Sequence, residues 1–342
     1  MSVYQGKKIK VRVIGESHGD KIRATISGLK GFSFDLAEVT AALDRRSPKG
    51  KSGATARVES DTPVIKGVKN GKIIGSVTAD FYNRDVKSGD YADLYGIPRP
   101  SHADIGRYYK YGEVDFTGGG EFSGRATVGL CFVGAICKDI LEKYYSVTVT
   151  AYLSAAGDKF IKSYDAPSVA GVSEAELGEY IERVKSDGDS LGGRVECVIE
   201  NCPKGLGGSL FDGLEGKIAA LVFAIPSVKG VEFGKGFGLC KEKGSQANDE
   251  PFYDGGELDF ATNRGGGIYG GVSCGRRITF AAAFKPTPSI AKEQNTVNLL
   301  SGENVKISVK GRHDCCAALR AAPIVEAVAA IAVLDEILYE ND

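Results

Sequence analysis

Apolar and polar residues alternate over Ile9, Lys10, Val11, Arg12, Val13 and Ile14, and again over 23–27. A two-residue period is the mark of a half-buried strand, so strands are predicted at 8–14 and 23–27. They bracket a loop, "GESHGD", at 15–20. The period then changes. Asp35 stands where an N-cap belongs, and Leu36, Val39 and Leu43 define one helical side that ends near Arg45 and Arg46. Arginines at that end suit the helix dipole. Strands are predicted at 57–66 and 72–81. A helix is predicted at 125–144, with Leu130, Val133, Ile136, Ile140 and Leu141 on one side. Strands at 147–154 and 193–200 flank a helix at 173–186, and a further helix spans 210–224 and stops before Pro226. Strands at 272–284 and 304–309 surround "KPTPSI", and a last helix runs over 323–339. The mixture predicts an α+β fold.

One segment fits neither period. Residues 85–120 are polar, rich in tyrosine and closed by a glycine triplet. Loops of this length in compact domains are functional or disordered, and the aromatics argue against disorder. No Pro- or Ser-rich linker divides the chain, so 1–342 is expected to form a single domain. Two segments, 32–46 and 209–226, share Phe-Asp ahead of a helix with a central Ala-Ala-Leu, a weak sign of duplication.

Composition narrows the partners. The formal net charge is −1, which gives no global field to recruit nucleic acid or an anionic membrane. No apolar run has the length of a membrane span, and the first residues lack the apolar core of a signal peptide. The eight cysteines form no CxxC pair, so reduced thiols in a cytoplasm are expected, and with three histidines no metal site is expected. Two glycine motifs are false matches. "GKS" at 50–52 lacks the earlier glycine of a P-loop, since Arg45 stands there. "GGGIYG" at 265–270 leads into a strand rather than the helix a dinucleotide site needs.

The chemistry gathers in loops. His18, His102 and His313 all sit among glycine, charge and turn residues, and none lies on an apolar helical face. Imidazole exchanges protons near neutrality. Arg45, Arg46, Lys51, Arg57, Arg99, Arg125, Lys285 and Arg312 lie in or beside the same loops. Guanidinium groups grip phosphate and carboxylate with paired hydrogen bonds. These residues suggest an anionic ligand with phosphate and carboxylate groups, as for a phosphatase or a transferase acting on a small phosphorylated acid. They also leave open a flavin- or nucleotide-binding module.

Eleven segments in order resemble the chorismate synthase family over nearly the whole chain. Among them are "GESHG" (15–19), "DRRSP" (44–48), "RPSHAD" (99–104), "KYGEVDFTGGGEFSGR" (110–125) and "IPSVKGVEFGKGF" (225–237). "TNRGGGIYGGVS" (262–273), "KPTPSI" (285–290), "GRHDCC" (311–316) and "RAAPIVEA" (320–327) belong to the same set. The resemblance implies a β-α-β sandwich, with helices packed between antiparallel sheets, assembled as a homotetramer. It implies a 1,4-anti elimination of phosphate from 5-enolpyruvylshikimate 3-phosphate, giving chorismate, with reduced FMN and with NADPH as the candidate reductant. By position, His18 matches the acid for the departing phosphate, with Ser17 beside it. His102 matches a histidine that protonates the flavin, and Asp314 an aspartate near flavin N5. Ser123, also a candidate for the catalytic set, Pro226, Ser227, Gly270, Lys285, Pro286, Thr287, Pro288 and Ser289 match flavin-contacting positions. Arg312 matches an arginine between flavin and substrate. Arg46, Lys51 and Arg125 are assigned to substrate or nicotinamide nucleotide.

The chain departs from the family pattern in places. Arg-Ser-Ser-Ala-Arg after the glycine triplet reads Glu121, Phe122, Ser123, Gly124, Arg125, which puts flavin-phosphate anchoring in question. A second basic anion-site position falls on Ser52, with Lys51 one place earlier. Pro-Gly-His-Ala-Asp has Ser101 in place of its glycine, and Arg-His-Asp-Pro-Cys has Cys315 in place of its proline.

Overall fold

The computed structural model describes residues 1–341 apart from 52, 56, 58, 86–93, 117, 165–167, 310 and 312. The first half contains β1 (Ser2–Gln5), β2 (Lys10–Ile14), β3 (Lys21–Ser27), α1 (Leu36–Arg46), β4 (Val64–Lys69), β5 (Lys72–Tyr82), α2 (Asp104–Tyr111) and α3 (Thr127–Tyr145). There follow β6 (Thr148–Ala156), β7 (Lys159–Phe160), α4 (Glu174–Ser186), β8 (Gly193–Glu200), α5 (Leu214–Phe223) and β9 (Val228–Phe233). The remainder is α6 (Gly244–Ala247), β10 (Pro251–Asp254), β11 (Glu257–Phe260), β12 (Ile268–Tyr269), β13 (Val272–Ser273), β14 (Ile278–Phe284), β15 (Gln294–Asn298), β16 (Glu303–Ile307) and α7 (Ala322–Glu340).

Two five-stranded sheets form the outer layers, in the orders β1-β2-β3-β5-β4 and β7-β6-β8-β14-β9. Neighbouring strands are antiparallel throughout. The helices between them explain the architecture. Residues 323–337 of α7 are buried on every side, as expected of a helix apolar all round. It packs on α3 and meets β6 and β8, while α3 meets β3 of the other sheet. The two helices cross closely at Gly134, where a Cβ would come within 2.3 Å of that of Ala327. Carboxylates inside this layer are fully engaged. Glu326 accepts from Arg45 twice at 2.8 Å, from Lys138 at 2.8 Å and from the Ala151 amide at 2.9 Å. Most buried polar groups in folded proteins have such partners.

The sandwich of helices between antiparallel sheets is the expected α+β fold. Several boundaries differ from the sequence reading. The strand expected over 57–66 begins only at Val64, because Glu59 and Asp61 turn inward to arginines and Asp61 adopts φ 47. The helix expected from 125 starts at Thr127, after two 3-10 turns. The helix expected from 210 starts at Leu214, and the strand expected over 272–284 is broken by a turn at Gly275 into β13 and β14. The long segment before the glycine triplet is not simply a loop. It contains α2 and packs Leu94 and Phe116 on Ile307 and Val309 as a small separate apolar cluster. Thr296 Oγ1 donates to the Pro98 carbonyl at 2.6 Å and ties the segment to the β15–β16 hairpin.

Candidate active site

A cleft of about 800 Å³ opens where both sheets, the end of α1, the long segment and the start of α7 meet. Loops up to 300 residues apart supply its walls, and the chain's three histidines all line it.

The first histidine is placed by glycines. Gly15 (φ 112) turns the chain after β2, and a Cβ there would lie 2.2 Å from the Lys21 carbonyl oxygen. The turn presents Ser17 and His18. Gly118 (φ 62) backs them so closely that a Cβ would stand 2.6 Å from His18 Nε2 and 3.3 Å from Ser17 Oγ. The Ser17 amide donates to the Gly120 carbonyl at 3.3 Å, and Arg57 donates to the Ser17 carbonyl at 2.9 Å. Ser17 Oγ is buried and has no hydrogen-bond partner among the described residues. A hydroxyl left in this state is available to a ligand.

His102 is held by a buried ion pair. Asp104, the first residue of α2, accepts from Arg99 Nε at 2.7 Å, Arg99 Nη2 at 2.8 Å and the Arg99 amide at 3.0 Å. Its other contact is His102 Nδ1, at 2.6 Å. Burial opposes the Asp104 charge, but the hydrogen bonds from Arg99 and His102 outweigh it and hold the carboxyl at about 2. An ionised oxygen can only accept, so His102 carries its proton on Nδ1 and keeps Nε2 as the second site. Burial lowers the His102 pKa from its ordinary value, with Asp104 opposing the shift and Arg99 adding to it. The imidazole is therefore neutral at pH 7. The Ser101 before it has φ 56, a serine in a left-handed conformation where the family pattern has glycine.

Cations converge on the same cleft. Arg46, 2% exposed, donates to Asp61 at 2.9 Å and to Thr127 Oγ1 at 3.2 Å. Arg125 shares Asp61 and donates through Nε to Asn83 at 2.8 Å. Its Nη2 is buried without a partner among the described residues. Arg320, which the sequence reading did not assign, holds Asp314 at 2.8 Å, and Asp314 also accepts the Thr55 amide at 2.9 Å. Burial draws the Arg46 pKa down to about 10, with Asp61 opposing and Arg320 and Arg125 adding to the fall. Three guanidinium groups thus share two carboxylates, and this part of the cleft keeps an excess of positive charge for an anion.

The remaining candidates divide. Ser123, Pro226, Ser227, Lys285, Thr287, Pro288 and Ser289 line the cleft. Ser227 takes φ 74, its carbonyl accepts from the Lys285 amide at 2.9 Å, and Lys285 Nζ donates to the Ser101 carbonyl. Pro286 and Gly270 do not line it. Gly270 turns the β12–β13 hairpin. Lys51 does not line it either. Its Nζ donates to the carbonyls of Arg45 and Ser47 at the end of α1, and burial together with Arg320, Arg45 and Arg46 lowers its pKa to about 8. Arg312 and Ser52 lie outside the described residues. Glu121, at the rim, accepts from the Tyr111 hydroxyl at 2.9 Å, which lowers its pKa. The sequence reading missed Arg320, Asp61 and Asp104, and it named Arg99 only as one of many loop cations. Their signal was a charged residue of each sign within short loops, which reads as solvated surface until the fold buries it.

Known proteins are similar to this chain over almost its whole length. The family profile described as Chorismate synthase matches residues 9–338. A chorismate synthase of Chitinophaga pinensis is 42% identical over 340 residues, covering 98% of this chain and 96% of the relative. One from Methanocaldococcus jannaschii is 36% identical over 362 residues, covering 98% and 96%. A crystal structure of chorismate synthase superposes with a TM-score of 0.76, covering 98% of this chain and 93% of that one. At 24% identity it speaks to the fold. With its profile matched almost from end to end, the chain belongs to the chorismate synthase family.

Proposed function

We propose that this cleft is where the family reaction takes place, with His18 and His102 as its proton-handling groups. The reaction is the last step of the shikimate pathway, the 1,4-anti elimination of phosphate from 5-enolpyruvylshikimate 3-phosphate to chorismate. The observation that carries the assignment is the meeting of three histidines with Arg46, Arg125 and Arg320 in one cavity. His18, with Ser17 beside it, holds a proton at the departing phosphate oxygen. General acid help of this kind is worth about 10²–10⁴ in rate. Arg46 and Arg125, fixed by Asp61, meet the charge that develops on the phosphate, and cations positioned in advance lower that barrier without reorganising. His102 accepts and returns a proton at Nε2, the nitrogen Asp104 leaves available. Asp314 is held by Arg320 on the same side as His313 and steadies the proton path there.

The residues present fit a flavin. The cleft falls within the usual 300–1,000 Å³ of cofactor pockets. Ser123, Ser227, Lys285 and the 287–289 stretch offer polar and backbone groups. Reduced FMN, when bound, supplies electron density to the allylic system as phosphate leaves. Lys285 and Ser227 would orient it, and the apolar contributions of Pro226 and Pro288 would keep water out. Glu121 stands where the family pattern has an arginine, so the remaining donors would have to hold the phosphate of the cofactor. The span 1–342 acts as one domain. Leu210 and Phe211, 89% and 98% exposed ahead of α5, support a surface used in a homotetramer. A cytoplasmic setting and a nicotinamide reductant follow the same family reading.

An anaerobic phosphate-release assay with the enolpyruvyl substrate tests the assignment, with and without dithionite-reduced FMN. Release is expected only with the reduced cofactor. His18→Ala and His102→Ala are each expected to lower turnover by about 10²–10⁴ with an unchanged circular dichroism spectrum. Release without flavin would make the protein a phosphatase, and turnover like wild type in both variants would remove the histidines from the reaction.

A further inference from the structure

We infer that Arg99 is a positioning residue that braces His18 and His102 together, so that the two imidazoles keep one geometry through a single guanidinium group. Arg99 is 2% exposed and spans two supports. On one side it fixes Asp104, whose Oδ1 lies 2.6 Å from His102 Nδ1. On the other its Nη2 donates to the carbonyls of Gly118 at 2.6 Å and Phe116 at 3.2 Å. Gly118 is the residue that backs His18 with no room for a Cβ. The path from one imidazole to the other therefore runs His102, Asp104, Arg99, Gly118, His18, through charge-assisted hydrogen bonds and one van der Waals contact. The hydrogen bonds are directional and the contact at Gly118 leaves no slack, so a change at the guanidinium group moves both ends.

The planar fork is what the position requires. Lysine supplies a point charge and cannot hold Asp104 with two parallel bonds while also reaching two carbonyls. The inference rests on reading His18 and His102 as the proton-handling pair, but its readout does not depend on turnover. With three histidines in the chain, every imidazole can be resolved by ¹⁵N–¹H correlation spectroscopy of the full-length protein. In Arg99→Lys the ring-nitrogen shifts of both His18 and His102 are expected to move at fixed pH, while those of His313 stay in place. kcat is expected to fall about 10²-fold with little change in KM, the scale of a misplacement near 1 Å. A shift of His102 alone would overturn the inference, because Arg99 would then serve Asp104 only. A shift of all three would overturn it too, as a general rearrangement.

Gly118→Ala reads the same path in reverse and is available if Arg99→Lys does not fold. Displacement at Gly118 must move His18 directly and His102 through Arg99. An unmoved His102 in that variant would also overturn the inference. Failure of the coupling leaves the alanine variants of His18 and His102 to judge the proton-handling assignment separately.

Discussion

Asp104 shows how one buried side chain sets both a proton position and a stability. Its carboxyl is held at about 2 against an ordinary 3.8. The folded protein thus gains stability that is complete above about pH 5 and is lost as pH falls toward 2, worth about 2 kcal/mol. In Asp104→Asn the difference in unfolding free energy from wild type is expected to narrow steadily from pH 5 to pH 2 in urea titrations. The same substitution removes the one influence that raises the His102 pKa and leaves burial, Arg99 and Lys285 to lower it. His102 is then expected to titrate even lower by NMR; an upward shift would contradict the arrangement. None of this was legible in "RPSHAD" read from its residues. The hexapeptide revealed a histidine in a polar turn, but the burial of Arg99 and Asp104, which sets the tautomer, depends on Phe116 and Gly118 arriving from outside it.

Elements with a strong period were legible and those without one were not. The strand at β8 and the helices α4 and α7 agree with the sequence reading to within a residue or so, because β8 and α7 are buried almost throughout and α4 sets Ile181 into the core. β10 and β11 lie mostly exposed, so no alternation marks them. α2 exposes most of its tyrosines and buries Asp104, the reverse of the usual pattern. Its segment is secured by the separate cluster of Leu94, Phe116, Ile307 and Val309. Truncating a buried phenylalanine costs about 3–5 kcal/mol, and here the loss falls on the segment that carries His102. Phe116→Ala is expected to raise hydrogen exchange across 94–116 well before the sandwich opens, and to lower activity more than the thermal midpoint. Equal exchange in both regions would show that the segment shares the main core after all.

At the scale of the molecule, a chain with a net charge of −1 builds a cationic wall by distributing its arginines unevenly. The sequence reading could tabulate the cations but not their convergence, since Arg46, Arg125 and Arg320 come from three separate elements. Inorganic phosphate is expected to raise the unfolding midpoint. At about a hundredfold excess over Kd the linkage contributes about 2.7 kcal/mol. Arg125→Ala is expected to abolish most of that shift while keeping the cooperative transition. An undiminished phosphate response would place the anion elsewhere.

The middle layer has one further consequence. α7 follows both sheets in the sequence, yet it meets β6 and β8 directly and packs on α3, which bears the other sheet, and Arg320 sits just ahead of it. A ribosome-bound chain halted before residue 322 has made both outer layers and α3, but lacks the buried helix that α3 packs on. Competence to act on substrate is therefore among the final properties the growing polypeptide acquires, and prematurely released fragments are inert.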